Sequence, residues 1–195
     1  MPGVSFGALS RLFVLVGACL ALHAVPVPAT TLRQMDTREL TLESQDIVIG
    51  QVQDSRAHWN DAHTKIVTDV IVSVSQSLKG GAAGLITLTQ LGGEVDGVRY
   101  DVPGCPVFRK GESSLFFVWR DGAGRSQVNA MAQGKFDIRT DAATGTRTVQ
   151  RTVPGFAARD VKTLRPLAAG QVAPPLSLDA LIREVQRTLA EQAAH

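Results

Sequence analysis

At 195 residues, with 44% apolar and 19% charged residues, the chain has the composition of a protein with a hydrophobic core, which excludes a disordered or low-complexity class. Its 20 basic and 18 acidic residues nearly cancel, and with Arg11 set aside 19 basic residues face 18 acidic ones from Thr30 onward. Without a Lys/Arg cluster or a large net charge, neither nucleic acid nor an anionic membrane surface is an expected partner.

Residues 1–29 carry the pattern of a signal peptide. Arg11 supplies the positive flank, and Leu12 to Val25 is apolar except for His23. That run is too short to span a bilayer and suits a cleaved leader, with small residues for processing at Ala24 or at Ala29. Val16-Gly17-Ala18-Cys19 loosely resembles a lipobox, so lipidation at Cys19 is the alternative. The expectation is an exported chain, periplasmic or extracellular, with no transmembrane segment once mature. Loss of Cys19 leaves Cys105 as a lone thiol, so no internal disulfide holds the domain and its core must suffice. Cys105 sits in Pro103-Gly104-Cys105-Pro106 with no His or basic neighbour, which predicts an inert thiol.

From Thr30 the elements follow in order. Asp36 caps a short helix with Glu39 in its first turn, extending to about Gln45. Asp46 to Val52 is the first strand, with Gly50 marking a bulge or a close backbone approach. Asp54 to His63 is polar and is expected as a loop, with Asn60-Asp61 as its turn signal. Thr64 to Gly80 is the longest β-type run of the mature chain. Its Val70, Val72 and Val74 share one face, expected inward, and Asp69, Ile71 and Ser73 share the other. The run should pair with Asp46 to Val52 and with the strand Leu85 to Leu91.

Val95 to Val102 suggests a short return strand, and Ser114 to Trp119 a strand buried on both faces. Ser126 to Met131, Lys135 to Arg139 and Thr146 to Arg151 complete the set. In the second of these the apolar residues are expected inward and the charged ones outward. About eight short strands with Gly/Asp turns argue an antiparallel sandwich or barrel. Residues 152–176 are rich in Pro and Gly and read as a linker. Ser177 then caps a C-terminal helix whose Leu178, Leu181, Ile182, Val185 and Leu189 form one stripe, expected to pack on the barrel or on a partner. The division is thus 1–29 leader, 30–151 β domain, 152–176 linker and 177–195 helix.

No reactive constellation emerges from motif spacing. His58-Trp59-Asn60-Asp61-Ala62-His63 offers two imidazoles and a carboxylate, short of the three or four ligands a zinc site needs. Trp59, a large aromatic on a polar stretch, is either an interaction anchor or a lid folded over the barrel end. There is no Gly-x-Ser-x-Gly elbow, and Gly134-Lys135 lacks the rest of a phosphate-binding loop. Glu94 and Asp96 lie on a glycine-rich hairpin without calcium-loop spacing. No metal, cofactor or catalytic residue is expected. An enzyme would need a pocket gathering at least two of His58, Asp61, His63, Asp69 and Glu94.

Several stretches together carry a resemblance. Ser44-Gln45-Asp46-Ile47-Val48-Ile49-Gly50-Gln51-Val52, Ile66-Val67-Thr68-Asp69-Val70, Ser77-Leu78-Lys79-Gly80, Gln90-Leu91-Gly92-Gly93, Phe108 to Glu112 and Gln133-Gly134-Lys135-Phe136 resemble a family of exported bacterial proteins of unknown function. Their order is also similar, more distantly, to netrin-like modules, the OB-type barrel of tissue inhibitors of metalloproteinases. The second resemblance implies a small antiparallel barrel and no mechanism. Those inhibitors chelate zinc through a mature N-terminal cysteine, whereas the chain starts at Val25 or Thr30 after cleavage, and fold alone does not settle function. The expected function is therefore a non-enzymatic exported β-barrel module for a protein or cell-envelope partner. His58, Trp59, Asp61 and His63, with the Glu94 to Asp101 loop, are its candidate contacts.

Overall fold

The computed structural model describes residues 34–152 and 176–194; the leader and nearly all of the Pro/Gly-rich stretch lie outside them. Asp36 opens α1 (Thr37–Glu43) with a capping box. Its carboxylate accepts from the Glu39 amide at 2.7 Å, and the Glu39 carboxylate accepts from the Asp36 amide at 3.2 Å, satisfying two of the orphan donors of a helix start. An antiparallel meander follows: β1 (Asp46–Trp59), β2 (Ile66–Lys79) and β3 (Gly84–Leu91). A separate hairpin is made by β4 (Gly93–Val95) and β5 (Val98–Tyr100).

β6 (Ser113–Arg120) returns to pair along the other side of β1, as far as Asp46↔Val118. β7 (Ser126–Val128) and β8 (Lys135–Thr140) both pair with β6, separated by a 3-10 turn at Met131–Gly134, and β9 (Arg147–Arg151) and β10 (Leu176–Ser177) extend the sheet. The order is β10-β9-β8-β6-β1-β2-β3, all antiparallel. Ser177 caps α2 (Leu178–Ala193), its hydroxyl accepting from the Ala180 amide at 3.1 Å.

β1 is buried on both faces over its first half, and period two divides its side chains between two cores. Ile47 and Ile49 meet Leu115, Phe117, Phe136 and Val149 under Leu40 and the Leu178, Leu181 and Val185 stripe of α2. Val48 and Val52 meet Val70, Val72, Leu88, Phe116, Val118 and Val128 on the opposite side. The C-terminal helix thus packs on the sheet, and Val70 and Val72 face inward as their spacing predicts. The sheet curls far enough to bring β7 alongside β3. Among the described residues, however, no ladder joins them or the two ends of the sheet.

Two elements depart from the sequence expectation. Where a polar loop was expected from Asp54 to His63, β1 continues to Trp59, paired residue for residue with β2 from Asp54↔Ile71 to Trp59↔Ile66. The polarity reflects a strand whose backbone groups are satisfied by the ladder while its own side chains, Asp54 to Arg56 above all, stay exposed or half-buried. The turn itself is shorter: Asn60 Oδ1 accepts from the Thr64 and Lys65 amides at 2.8 and 2.9 Å, the Asx-type closure its sequence suggests. The single return strand of Val95 to Val102 is instead the second arm of the β4–β5 hairpin. Asp96 and Gly97 turn it with φ of 52° and 75°, the left-handed pair that a two-residue hairpin requires.

Two glycines seat the β1–β2 ribbon. At Gly50 the register shifts, and a Cβ would lie 2.6 Å from Val72 Cγ1 and 2.7 Å from the Ser73 carbonyl oxygen, so bulge and close approach coincide. At Gly80 (φ 87°) a Cβ would fall 2.1 Å from Asp46 Oδ1 and 2.5 Å from the Gln45 carbonyl oxygen. Just before it, Lys79 Nζ donates to the Thr41 and Leu42 carbonyls at 2.8 and 3.2 Å, closing the last turn of α1 where a cation is favourable. Burial pushes the Lys79 pKa down, against the pull of Asp46.

Gly81 has a similar φ of 83° but nothing within 4 Å of its would-be Cβ, which separates strain from collision. Gly81→Ala should cost about 1 kcal/mol of unfolding free energy and Gly80→Ala about 3 kcal/mol. Urea denaturation midpoints of the two variants measure the difference; equal midpoints would mean the Asp46 contact has no weight.

Candidate functional site

Beyond Val52 and Val70 the outer face of β1, β2 and β3 carries the most concentrated polar chemistry among the expected site residues. Cross-strand register sets Arg56 opposite Asp69 and Asp69 opposite Thr89, so one row of side chains crosses three strands. His58, two residues further along β1, reaches diagonally: its Nε2 lies 3.0 Å from Asp69 Oδ2, and Thr89 Oγ1 donates to Asp69 Oδ1 at 2.6 Å. The other ring nitrogen, Nδ1, lies 2.9 Å from the Trp59 carbonyl oxygen.

A carboxylate and a carbonyl can only accept, so full satisfaction of both contacts requires both ring nitrogens to donate. The His58 pKa is accordingly raised above its ordinary 6.5, first by the Trp59 carbonyl and then by Asp69, with partial desolvation and Arg56 opposing. A raised folded pKa means that the stabilisation is complete below the unfolded value near 6.5 and is lost as pH climbs through the folded one.

This geometry separates the trio from a nucleophile–base–acid triad, in which the base directs one nitrogen at the acid and the other at a hydroxyl or thiol. Here the second nitrogen is occupied by backbone. Around the row is a shallow depression of about 450 Å³, lined by His58, Asp69, Asp54, Ser55, Arg56, Ile71 and Thr87. Ile71 and Leu85 are 37% and 68% exposed on this face, large aliphatic groups on an uncovered sheet surface. With Asp69 engaged by His58 and Thr89, Arg56 has no ion-pair partner among the described residues.

The other expected contacts distribute around this row. Trp59 ends β1 and stacks on His63 of the turn, with ring centroids 6.0 Å apart and planes 13° from parallel. Asp61 is exposed at the tip, and Glu94 stands on β4 opposite Arg99. The two histidines do not converge, and no group of three or more His, Cys, Asp or Glu could hold a metal among the described residues. Cys105 is a half-buried free thiol whose pKa is pushed up by desolvation, with a backbone hydrogen bond at Leu91 opposing. Of the five groups an enzyme was expected to draw on, the structure brings together His58 and Asp69.

Lys135 overturns the expectation that charged residues of its strand face outward: it is only 5% exposed. Its Nζ forms an ion pair with Asp137 and lies 2.8 Å from Glu112 Oε1, a charge contact outside hydrogen-bond angles. The ammonium also sits 5.5 Å from the Phe108 ring centroid, and Ser114 donates to Asp137 at 3.1 Å. A buried ammonium is tolerable because carboxylates and an aromatic face replace its water.

Neighbouring motif residues do similar work. Gln133 Oε1 accepts from the Met35 amide at 2.9 Å, and Asn129 donates to Ser44 Oγ at 3.0 Å. Most of the stretches that carry the family resemblance, including Phe108 to Glu112, Gln133 to Phe136 and Lys79-Gly80, are therefore fastenings of the fold. Comparison with protein-family models, with curated proteins and with solved structures found no match to the chain.

Lys135→Met would leave Glu112 and Asp137 without their shared cation. The expected loss is about 3 kcal/mol of stability, read from the shift in urea midpoint; a wild-type midpoint would show the cluster to be idle.

Proposed function

We propose that the chain is an exported, non-enzymatic β-barrel module, of OB or netrin-like type, that binds a protein of the cell envelope. The observation that carries this reading is the uncovered outer face of β1–β2–β3. There Ile71 is exposed in the same depression as Arg56, which has no ion-pair partner among the described residues, and Leu85 is exposed further along β3, opposite Ser73. Large aliphatic groups beside a free guanidinium supply the apolar contact and directional charge from which protein interfaces are built. The curl that brings β7 alongside β3 supports the barrel, and Arg11 followed by the apolar Leu12 to Val25 supports export. The non-enzymatic part is supported by how the polar groups are used: both His58 nitrogens, Lys79 and Lys135 are engaged by the scaffold.

One observation favours a second reading, a hydrolytic enzyme: His58 and Asp69 meet in the same depression. It requires His58 to release the Trp59 carbonyl before the ring could accept a proton from a nucleophile. Turnover of ester or peptide substrates that disappears in His58→Gln would establish it in place of the binding reading.

Cross-linking in the envelope fraction tests the binding module. Wild type should recover one reproducible protein. The double variant Ile71→Thr, Leu85→Thr, which puts β-branched residues on the strand face and adds no charge opposite Asp54, should melt within a few degrees of wild type and recover at least about tenfold less, since central contacts are worth roughly 1–2 kcal/mol each. Failure to recover any partner, or equal recovery by the variant, overturns the proposal.

A further inference from the structure

The distal part of the β1–β2 ribbon lies outside the two core clusters; its ladder and the buried Ile66 and Val67 hold one face, and on the outer face side-chain links join the strands. The one that crosses all three strands is made by Thr89, Asp69 and His58, and it terminates on the carbonyl of Trp59, the last residue of β1. The Asn60–Lys65 turn begins at the next residue and carries His63, the stacking partner of Trp59.

We propose that His58, Asp69 and Thr89 form a proton-operated clasp that holds the Trp59 end of the ribbon against β2 and β3. With the imidazole doubly protonated, Nδ1–H holds the Trp59 carbonyl and Nε2–H holds Asp69. A neutral imidazole has one N–H for two acceptors, so one contact becomes a lone pair facing an oxygen and opens. Deprotonation therefore releases either the strand end or the cross-strand link, and the Trp59–His63 stack moves with it. Rising pH opens the clasp and falling pH closes it.

The surrounding charges agree with that direction. On β2, Asp69 favours the closed form; on β1, Arg56 opposes it and Asp54 lines the same depression. β3 brings no charge to this face, where the hydroxyls of Thr87 and Thr89 stand in line with the aliphatic Leu85. The turn brings His63, and β4 has Glu94 next to the Gly93 whose would-be Cβ lies 2.8 Å from Ala57. The clasp stands apart from the binding proposal, because it concerns the ribbon alone and needs no partner.

The chain has two tryptophans, so Trp119→Phe leaves Trp59 as sole reporter. This background keeps the His63 stack, and His63→Asn, which tolerates the positive φ of 52° at that position, is the separate control that removes it. In this background Trp59 emission followed from about pH 5 to about pH 9 should show one step with its midpoint above 6.5. Adding His58→Gln should abolish the step. Asp69→Asn should lower its midpoint, because an amide can donate to a neutral ring and satisfies the clasp without the second proton. In the unmodified chain, the His58 ring resonances followed by NMR should titrate above the ordinary value. A His58 midpoint at or below 6.5, an emission step that survives His58→Gln, or a midpoint unmoved by Asp69→Asn overturns the clasp.

Discussion

The fold depends on how closely β1 and β2 approach each other. β1 lies at the middle of the ladder, between β2 and β6, and supplies both cores, so its position fixes nearly everything else. At Gly50 the absence of a side chain lets Val72 and Ser73 press against the backbone. At Gly80 the chain turns tightly beneath Asp46, whose buried carboxylate pairs with Arg120 at the far end of β6. Between these points Lys79 holds the end of α1. A side chain at either glycine would have to displace backbone as well as side chains, and a close-packed interior leaves little room for that.

Charge is used sparingly and locally. Lys135 shares its ammonium between two carboxylates and an aromatic face, Lys79 caps a helix, and Asp46 is matched by Arg120. Lys135 and Asp46 are withdrawn from solvent and Lys79 only partly, and each is answered by a specific partner; for the buried two, removing one member costs far more than the intact pair contributes. By contrast the outer face of the ribbon end is wet. His58 and Asp69 are both more than a third exposed, so their link is screened and the imidazole is open to the medium. The protein thus keeps its rigid electrostatics in the body and its titratable imidazole towards the tip.

The legibility of the sequence follows the same division. Period-two runs with a single buried face, as in β2, announce themselves, and so does the Ser177-capped stripe of α2, because burial and periodicity coincide there. The distal half of β1 was hidden because Asp54 to Trp59 satisfies its backbone by pairing while its side chains stay polar. Hydropathy sees only the side chains. Lys135 was hidden for a complementary reason: its burial is compensated by Glu112 and Phe108, more than 20 residues earlier, a relation that no local window contains. The β4–β5 hairpin did carry its signal in Asp96-Gly97. Of the candidate site, Asp69 and His58 were each visible as residues, but their meeting depends on an antiparallel register that period alone does not set.

The end of the ladder at β3 has its own consequence. From Gly84 to Leu91 this strand has no charged residue and no proline, none of the devices by which an open edge repels another chain. β7 lies beside it, with Val128 and Leu88 in one core, and β7 is set there by a turn in which Asp121 accepts from the Ala123 and Arg125 amides at 2.9 Å. Among the described residues, what lies against this edge is thus set by a small turn elsewhere in the chain and not by the strand's own sequence.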